Sequence, residues 1–60
     1  MNEELIIINR FNNGIFVETY FDTLPVFIDA EGVRTVVINN ETCVVNKHNH
    51  CFPGKRMSEV

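Results

Sequence analysis

The chain has 60 residues, of which 45% are hydrophobic, and its eight acidic and five basic residues give a formal net charge of −3. A chain of this length allows one domain, which buries only about 60% of the surface that the unfolded chain exposes. The ordinary hydrophobic content excludes disorder over most of the length, and the acidic balance argues against a protein built to neutralise phosphates.

Five short runs rich in Ile, Val, Phe, Thr and Tyr follow one another along the chain. They read ELIIINRF, IFVETYF, LPVFID, VRTVVIN and TCVVNK, with NNG, DT, AEG and NNE between them. Such runs, separated by Asn, Asp and Gly, are typical of strands joined by tight turns. The connections are too short for crossover helices, so we expect antiparallel pairing. The predicted fold is all-β, a five-stranded antiparallel meander that forms a small barrel or a strongly twisted sheet.

The first connection, NNG, can be assigned a register from the apolar pattern. A three-residue loop over 12–14 opposes Phe11 to Ile15 and gathers the odd-numbered apolar residues of both strands on one face, whereas a two-residue loop mixes the faces. The pattern therefore predicts the three-residue loop, with Gly14 in the left-handed conformation of a G1 bulge.

Three later positions also carry turn or edge signals. The segment DAEG, over 29–32, has the form of a type I turn that ends in a left-handed Gly32. Asn39 and Asn40 suit a tight turn, because Asn tolerates a positive φ. Pro25 has no N–H to donate, so we expect it at the start of a strand or on the edge of a sheet.

The reverse face of the first hairpin is apolar as well. It carries Ile6, Ile8, Phe16 and Tyr20, which a flat single sheet would expose to water. Either the sheet curls into a barrel, or another subunit or a partner covers this face. We predict a homo-oligomer in which these four residues contribute to the contact.

The strand pattern stops after Asn46, which divides the chain into a small β domain at 1–47 and an irregular basic C-terminal tail at 48–60. Four residues near this boundary are of the types that bind tetrahedral zinc. They are Cys43, His48, His50 and Cys51. Their spacing contains no C-x2-C element, and two of them are adjacent, so zinc stands as an alternative and no cofactor is predicted.

The tail also mixes basic and aromatic side chains, as proteins that bind single-stranded nucleic acids do. The residues concerned are Lys47, Phe52, Lys55 and Arg56. Against this, residues 1–45 hold seven acidic and two basic residues, which disfavours a phosphate-binding surface on the strands.

No enzyme is predicted, because no third residue visibly orients a Cys–His pair in the tail. The sequence predicts a non-enzymatic interaction module, either an oligomer or an inhibitor or adaptor acting on a larger protein. The alternative is a small-barrel nucleic-acid-binding protein that uses the basic tail. The start, MNEEL, lacks the basic region of a signal peptide, and the run LIII is too short to cross a membrane. We therefore expect a cytoplasmic protein with no membrane partner.

Overall fold

The computed structural model describes residues 3–55, and in this part of the chain every regular element is a β-strand. The strands are β1 (Glu3–Asn12), β2 (Ile15–Pro25), β3 (Phe27–Ile28), β4 (Arg34–Ile38), β5 (Glu41–Val45) and β6 (His50–Cys51). The prediction of an all-β protein is therefore confirmed. Among residues 3–55 there is no helix with the length and apolarity that crossing a membrane requires.

The strands form two small sheets rather than a closed barrel. Sheet I has the order β2-β1-β6, and sheet II has the order β3-β4-β5. The β1–β2, β3–β4 and β4–β5 pairs are antiparallel neighbours, as in the predicted meander, but β6 pairs with β1 in parallel. The predicted meander is thus correct for three connections, and the barrel is not formed.

The meander is interrupted between β2 and β3, where the chain passes from one sheet to the other. The sequence pattern placed a turn at Asp22-Thr23, but β2 continues through these residues because its ladder with β1 extends as far as the Glu3–Pro25 pair. The change of sheet occurs at Val26, which is buried between the two sheets. Pro25 ends a strand at the edge of sheet I, in agreement with the expectation for a residue without an N–H.

The first hairpin has a two-residue turn, and the predicted three-residue loop is wrong. Asn12 opposes Ile15, and both turn residues, Asn13 and Gly14, have positive φ angles, of 53° and 86°. This is the geometry of a type I′ turn, which Asn-Gly favours. The register then shifts by one residue at a β-bulge, after which Arg10 opposes Glu18. Beyond the bulge, odd-numbered residues of β1 oppose odd-numbered residues of β2. This is the apolar alternation that had seemed to require a three-residue loop.

The other predicted turns are confirmed. Gly32 has a φ of 86°, and its N–H donates to the carbonyl oxygen of Asp29 at 3.0 Å. The Asp29 carboxylate also accepts the N–H groups of Glu31 and Val33, which fixes the loop between β3 and β4. Asn39 and Asn40 both have positive φ angles and form the two-residue connection between β4 and β5.

The core lies between the two sheets and receives alternate side chains from each. Its buried members are Ile6, Ile8, Val26, Val36, Ile38, Val45 and Cys51, and Tyr20, Leu24 and Cys43 pack against them. Burying an Ile or Val side chain contributes about 1.5–3 kcal/mol, so this small set supplies a modest stability. These residues identify the inner face of each sheet. In β1, Ile6 and Ile8 point into the core, and the odd-numbered residues point away from it.

The described part of the predicted tail is folded onto β1. The N–H of Ile7 donates to the carbonyl oxygen of Asn49 at 2.8 Å, and that of Phe11 donates to the carbonyl oxygen of Pro53 at 2.9 Å. Residues 48–55 therefore complete one side of sheet I instead of forming a separate irregular segment, while 56–60 lie outside the described residues.

Candidate functional site

The outer face of sheet I is an apolar surface that the fold leaves open. In β1 and β2 the residues opposite the core include the Leu5–Thr23 and Ile7–Phe21 pairs. Leu5 is 56% exposed and Phe21 is 64% exposed, which is unusual for large apolar side chains in the middle of strands. Val17, the bulged residue of β2, is exposed as well. We call the surface formed by Leu5, Ile7 and Phe21 the apolar face.

An aromatic cluster borders the apolar face near the hairpin turn. The ring of Phe11 meets Phe16 edge-on, with centroids 5.6 Å apart, and lies 6.4 Å from the ring of Phe52. His50 stacks on Phe52 at 6.2 Å. The amine of Lys55 is 5.1 Å from the centroid of Phe52, within the range of a cation–π contact. The tail thus adds aromatic and cationic groups to the end of the sheet.

Asn9 connects the tail to β1 and β2 on the same outer face of sheet I. Its side-chain nitrogen lies 3.1 Å from Nδ1 of His50 and donates to the carbonyl oxygen of Cys51 at 3.3 Å. Its side-chain oxygen accepts the hydroxyl of Thr19 at 2.9 Å. The first contact is a hydrogen bond when Nδ1 of His50 carries no proton, because the amide nitrogen is a donor. One asparagine thereby links β2, β1 and β6.

The free edge of β2 is the second open feature of sheet I. Ile7 and Phe11 direct their N–H groups to the tail, so the even-numbered residues of β1 direct theirs to β2. It follows that Thr19, Phe21 and Thr23 direct their main-chain groups away from β1, toward solvent. The N–H of Thr23 confirms this direction, since it donates to the side chain of the preceding Asp22 at 2.9 Å. We call residues 18–24 of β2 the free edge.

The structure separates the four residues predicted to form an oligomer contact. Ile6 and Ile8 are 0% and 1% exposed, so they belong to the core and offer no surface to another chain. Tyr20 is half-buried against the same core. Phe16 is 54% exposed, because the bulge places it on the opposite side of the sheet with Phe11. The open face of the hairpin is therefore the reverse of the one expected.

The alternative zinc ligands are not brought together. His50 opposes Ile7 on the outer side of sheet I, whereas the next residue, Cys51, opposes Ile8 and points into the core. Among residues 3–55, no three His, Cys, Asp or Glu side chains are gathered closely enough to hold a metal ion. Strand alternation is the physical reason, because adjacent residues in an extended chain face opposite ways.

The two cysteines are free thiols with suppressed ionisation. Burial raises the pKa of Cys51 to about 11, with a smaller contribution from nearby Cys43. Burial also raises the pKa of Cys43, and the carboxylate of Glu41 acts in the same direction. A thiol with a raised pKa is a poor nucleophile and a poor metal ligand at neutral pH. Cys51 is part of the core, and Cys43 packs against it.

The predicted nucleic-acid residues are brought together only in part. Phe52 and Lys55 join the aromatic cluster, whereas Lys47 lines a separate shallow cleft with Val44 of β5 and with Val33 of the loop before β4. Arg56 lies outside the described residues. Arg10, which precedes Phe11 in β1, forms an ion pair with Glu18 at 3.0 Å.

Sequence reasoning missed the contribution of Asn9 and Asn49, the two residues that attach the tail. Asn49 has a φ of 64°, and its side chain donates to the carboxylate of Glu4 and to the carbonyl oxygen of Leu5. A signal was present in the spacing of Asn46 and Asn49, since the side chain of Asn46 accepts the N–H groups of two residues that follow it. Asparagines that bond to nearby backbone mark tight turns.

Comparison with protein families, with curated proteins and with solved structures finds no match to this chain.

Proposed function

We propose that the protein is a non-enzymatic interaction module that binds another protein chain through the apolar face of sheet I. The observation that carries this proposal is the exposure of Leu5 and Phe21 on a face whose reverse side forms the core. Exposed apolar surface of this kind marks a contact site in a soluble domain. The partner is either a second copy of this chain or a larger protein on which the module acts as an inhibitor or adaptor.

The small core supports the same proposal. In the described part of the chain, seven hydrophobic residues are buried, while eleven large hydrophobic side chains remain exposed. A domain of this size gains little stability from its own core, so covering more apolar surface with a partner stabilises it further. The raised thiol pKa values also favour a role in binding over one in nucleophilic catalysis, and the two free thiols suit a reducing compartment such as the cytoplasm.

The test compares matched pairs of substitutions on the two outer faces. In Leu5→Thr/Phe21→Thr, two apolar side chains of sheet I become polar while β propensity is kept. Val37→Thr/Val44→Thr makes the same change on the outer face of sheet II, where both residues are exposed. The readouts are sedimentation at increasing concentration and cross-linking to proteins of the producing cells.

We expect the sheet I variant to weaken association at least about tenfold, since each side chain contributes about 1.5 kcal/mol or more when a partner covers it. The sheet II variant should associate like the wild type. Equal behaviour of the two variants, with folding retained, would show that the apolar face is not the contact surface.

A second candidate function rests on the aromatic cluster. Phe52, His50 and Lys55 present stacked rings beside an amine, an arrangement that suits an unstacked base and its phosphate. Retention on a single-stranded nucleic-acid column that falls steeply with salt, and is lost in Phe52→Ala, would support this function. The acidic net charge of the chain makes it the second candidate.

A further inference from the structure

We propose that a second copy of this chain binds the free edge, with two β2 strands pairing antiparallel about a two-fold axis at Phe21. This inference goes beyond the proposed function, because the contact is made by the strand edge of sheet I and not by its apolar face. The pairing joins two copies of sheet I into one six-stranded sheet, in the order β6-β1-β2-β2-β1-β6. The apolar faces of both copies then lie side by side on one surface.

The free edge has only part of the usual protection against such pairing. Exposed edges are commonly guarded by charged side chains, especially lysine, or by prolines, bulges or short strand length. The charges here are those of Glu18 and Asp22, and they restrict the registers that the edge can adopt. In β2 the bulge at Val17 and the ring of Pro25 occur at the two ends, and the seven residues between them contain neither lysine nor proline. Within the described residues, β1 is the only strand that pairs with β2. The bulge and the proline therefore delimit the segment that can accept another strand.

Charge selects the register. In a symmetric antiparallel pair a central residue opposes itself, and residues equally far on either side of it oppose each other. A centre at Tyr20 opposes Glu18 to Asp22, and a centre at Asp22 opposes that carboxylate to its own copy. Like charges in direct opposition destabilise a strand pair. Both of these registers are therefore disfavoured.

The remaining register is centred on Phe21. A centre at Thr19 would bring the bulged Val17 into the ladder, and a centre at Thr23 would oppose Phe21 to Pro25, which has no N–H to donate. With Phe21 on the axis, Thr19 opposes Thr23, Tyr20 opposes Asp22, and no two carboxylates are opposed. Threonine pairs are favourable neighbours across strands. This arrangement uses the whole segment between the bulge and the proline.

The main-chain groups fit the same register. Thr19, Phe21 and Thr23 direct their N–H and carbonyl groups to the open side, as the Thr23–Asp22 bond shows. Centring on Phe21 makes these residues oppose one another, so that the opposed pairs exchange about six hydrogen bonds, two for each pair. The N–H of Thr23 must release the Asp22 carboxylate to join the ladder, which exchanges one hydrogen bond for another.

Single cysteine substitutions test the register. Opposed residues of an antiparallel bonded pair have Cα atoms about 5.5 Å apart, a separation that a disulfide spans. Phe21→Cys should therefore form a symmetric disulfide dimer under mild oxidation. Thr19→Cys and Thr23→Cys should each cross-link at least about fivefold less alone, because a residue and its own copy would then be about 13 Å apart along the strands. Mixing these two variants should restore cross-linking. The three positions are exposed, so circular dichroism is expected to show a retained fold.

A second measurement uses the wild-type chain. The amide hydrogens of Thr19 and Phe21 should exchange more slowly as protein concentration rises, whereas that of Thr42 at the edge of sheet II should not change. Equal cross-linking by all three single variants, or concentration-independent exchange at Thr19 and Phe21, would overturn the pairing. If wild-type association is lost in Leu5→Thr/Phe21→Thr but the cross-linking pattern is not observed, the apolar face remains the contact surface and only the strand pairing fails.

Discussion

At the scale of single residues, Asn49 holds sheet I and sheet II together through the hydrogen bonds of its side chain. Its side-chain oxygen accepts from the guanidinium of Arg34, and its side-chain nitrogen donates to the carboxylate of Glu4 at 3.2 Å. It also donates to the carbonyl oxygen of Leu5 at 3.1 Å. Arg34 begins β4 in sheet II, whereas Glu4 and Leu5 belong to β1 in sheet I. One asparagine therefore links the two sheets where the chain turns toward β6.

Two substitutions at Asn49 separate the contribution of its side-chain hydrogen bonds from that of its left-handed backbone conformation. Asn49→Ala removes the side-chain bonds and places a Cβ at a φ of 64°, so we expect the free energy of unfolding to fall by about 2–4 kcal/mol. Asn49→Gly loses the same bonds without the left-handed strain, and should cost about 1 kcal/mol less. Urea denaturation of both variants checks the difference. Equal costs would show that backbone strain does not contribute.

Cys51 makes stability depend on alkaline pH. Burial raises its pKa to about 11 in the folded chain, whereas an unfolded thiol titrates near 8.5. The folded state holds the proton more tightly, so this contribution to the free energy of unfolding is complete below about pH 8.5 and is lost as pH rises toward 11. Denaturant midpoints measured across this interval should fall.

Cys51→Ala is the control for this pH dependence. It removes a fully buried side chain, so it should be less stable than the wild type at every pH. Its midpoint should decline less between pH 8.5 and 11, because no buried thiol remains to ionise. The explanation fails if both proteins show the same decline.

At the scale of elements, the attachment of the tail depends on glycine at 54. Gly54 has a φ of 81°, and a Cβ at this position would meet the carbonyl oxygen of Phe11 in β1. Gly32 has a similar φ of 86° but open space around it. The two glycines share the conformational requirement and differ in their surroundings, which makes one a matched control for the other.

We expect Gly32→Ala to lower the free energy of unfolding by about 1–2 kcal/mol through left-handed strain alone. Gly54→Ala should cost about 1–3 kcal/mol more, because the tail must move away from β1 to make room. Hydrogen exchange at the amides of Phe11 and Gly14, which donate to the carbonyl oxygens of Pro53 and Gly54, should accelerate in the second variant. Similar costs for both substitutions would contradict a close contact at 54.

The elements that the sequence predicted well are those set by short-range chemistry. The Asn-rich and Gly-containing turns at 29–32 and 39–40 follow from the conformations that these residues tolerate. The first hairpin was misread because a bulge cannot be recognised from alternation alone: it shifts the register by one residue and conceals a two-residue turn. β6 was missed because two extended residues leave no periodic pattern to detect.

An exposed apolar face was expected on the first hairpin, but on the side that carries Ile6 and Ile8. The structure exposes the side that carries Leu5 and Phe21. Both faces of β1 and β2 are apolar, so the pattern predicted that one of them would lack cover unless the sheet closed into a barrel. Which face receives sheet II depends on where the chain crosses at Val26, and on β6 reaching β1 from the other end of the chain. Such long-range contacts are not encoded in local patterning, which is why Ile6 and Ile8 were taken for surface residues.

At the scale of the whole molecule, the two sheets share one core and should unfold together. Val36 of β4 is fully buried against residues of sheet I, whereas its neighbour Val37 is 50% exposed on the outer face. We expect Val36→Ala to cost about 1.5–3 kcal/mol and Val37→Ala less than about 0.5 kcal/mol. Hydrogen exchange should show the loss from Val36→Ala equally at protected amides of β1 and of β4. A loss confined to β4 would mean that the sheets unfold separately.

The pairing of β1 with residues near the end of the described chain also sets an order of events during synthesis. Asn9 and Cys51 are 42 residues apart in sequence, while the β1–β2 hairpin closes over a two-residue turn. Contacts between near neighbours form quickly, and those across long chain separations form late. A nascent chain that stops before Asn49 consequently holds a hairpin with both edges unpaired. Intermediates of this kind are prone to misassembly. The protein is therefore most in need of chaperone protection before residues 49–54 have paired with β1, and needs it less once they cover that edge.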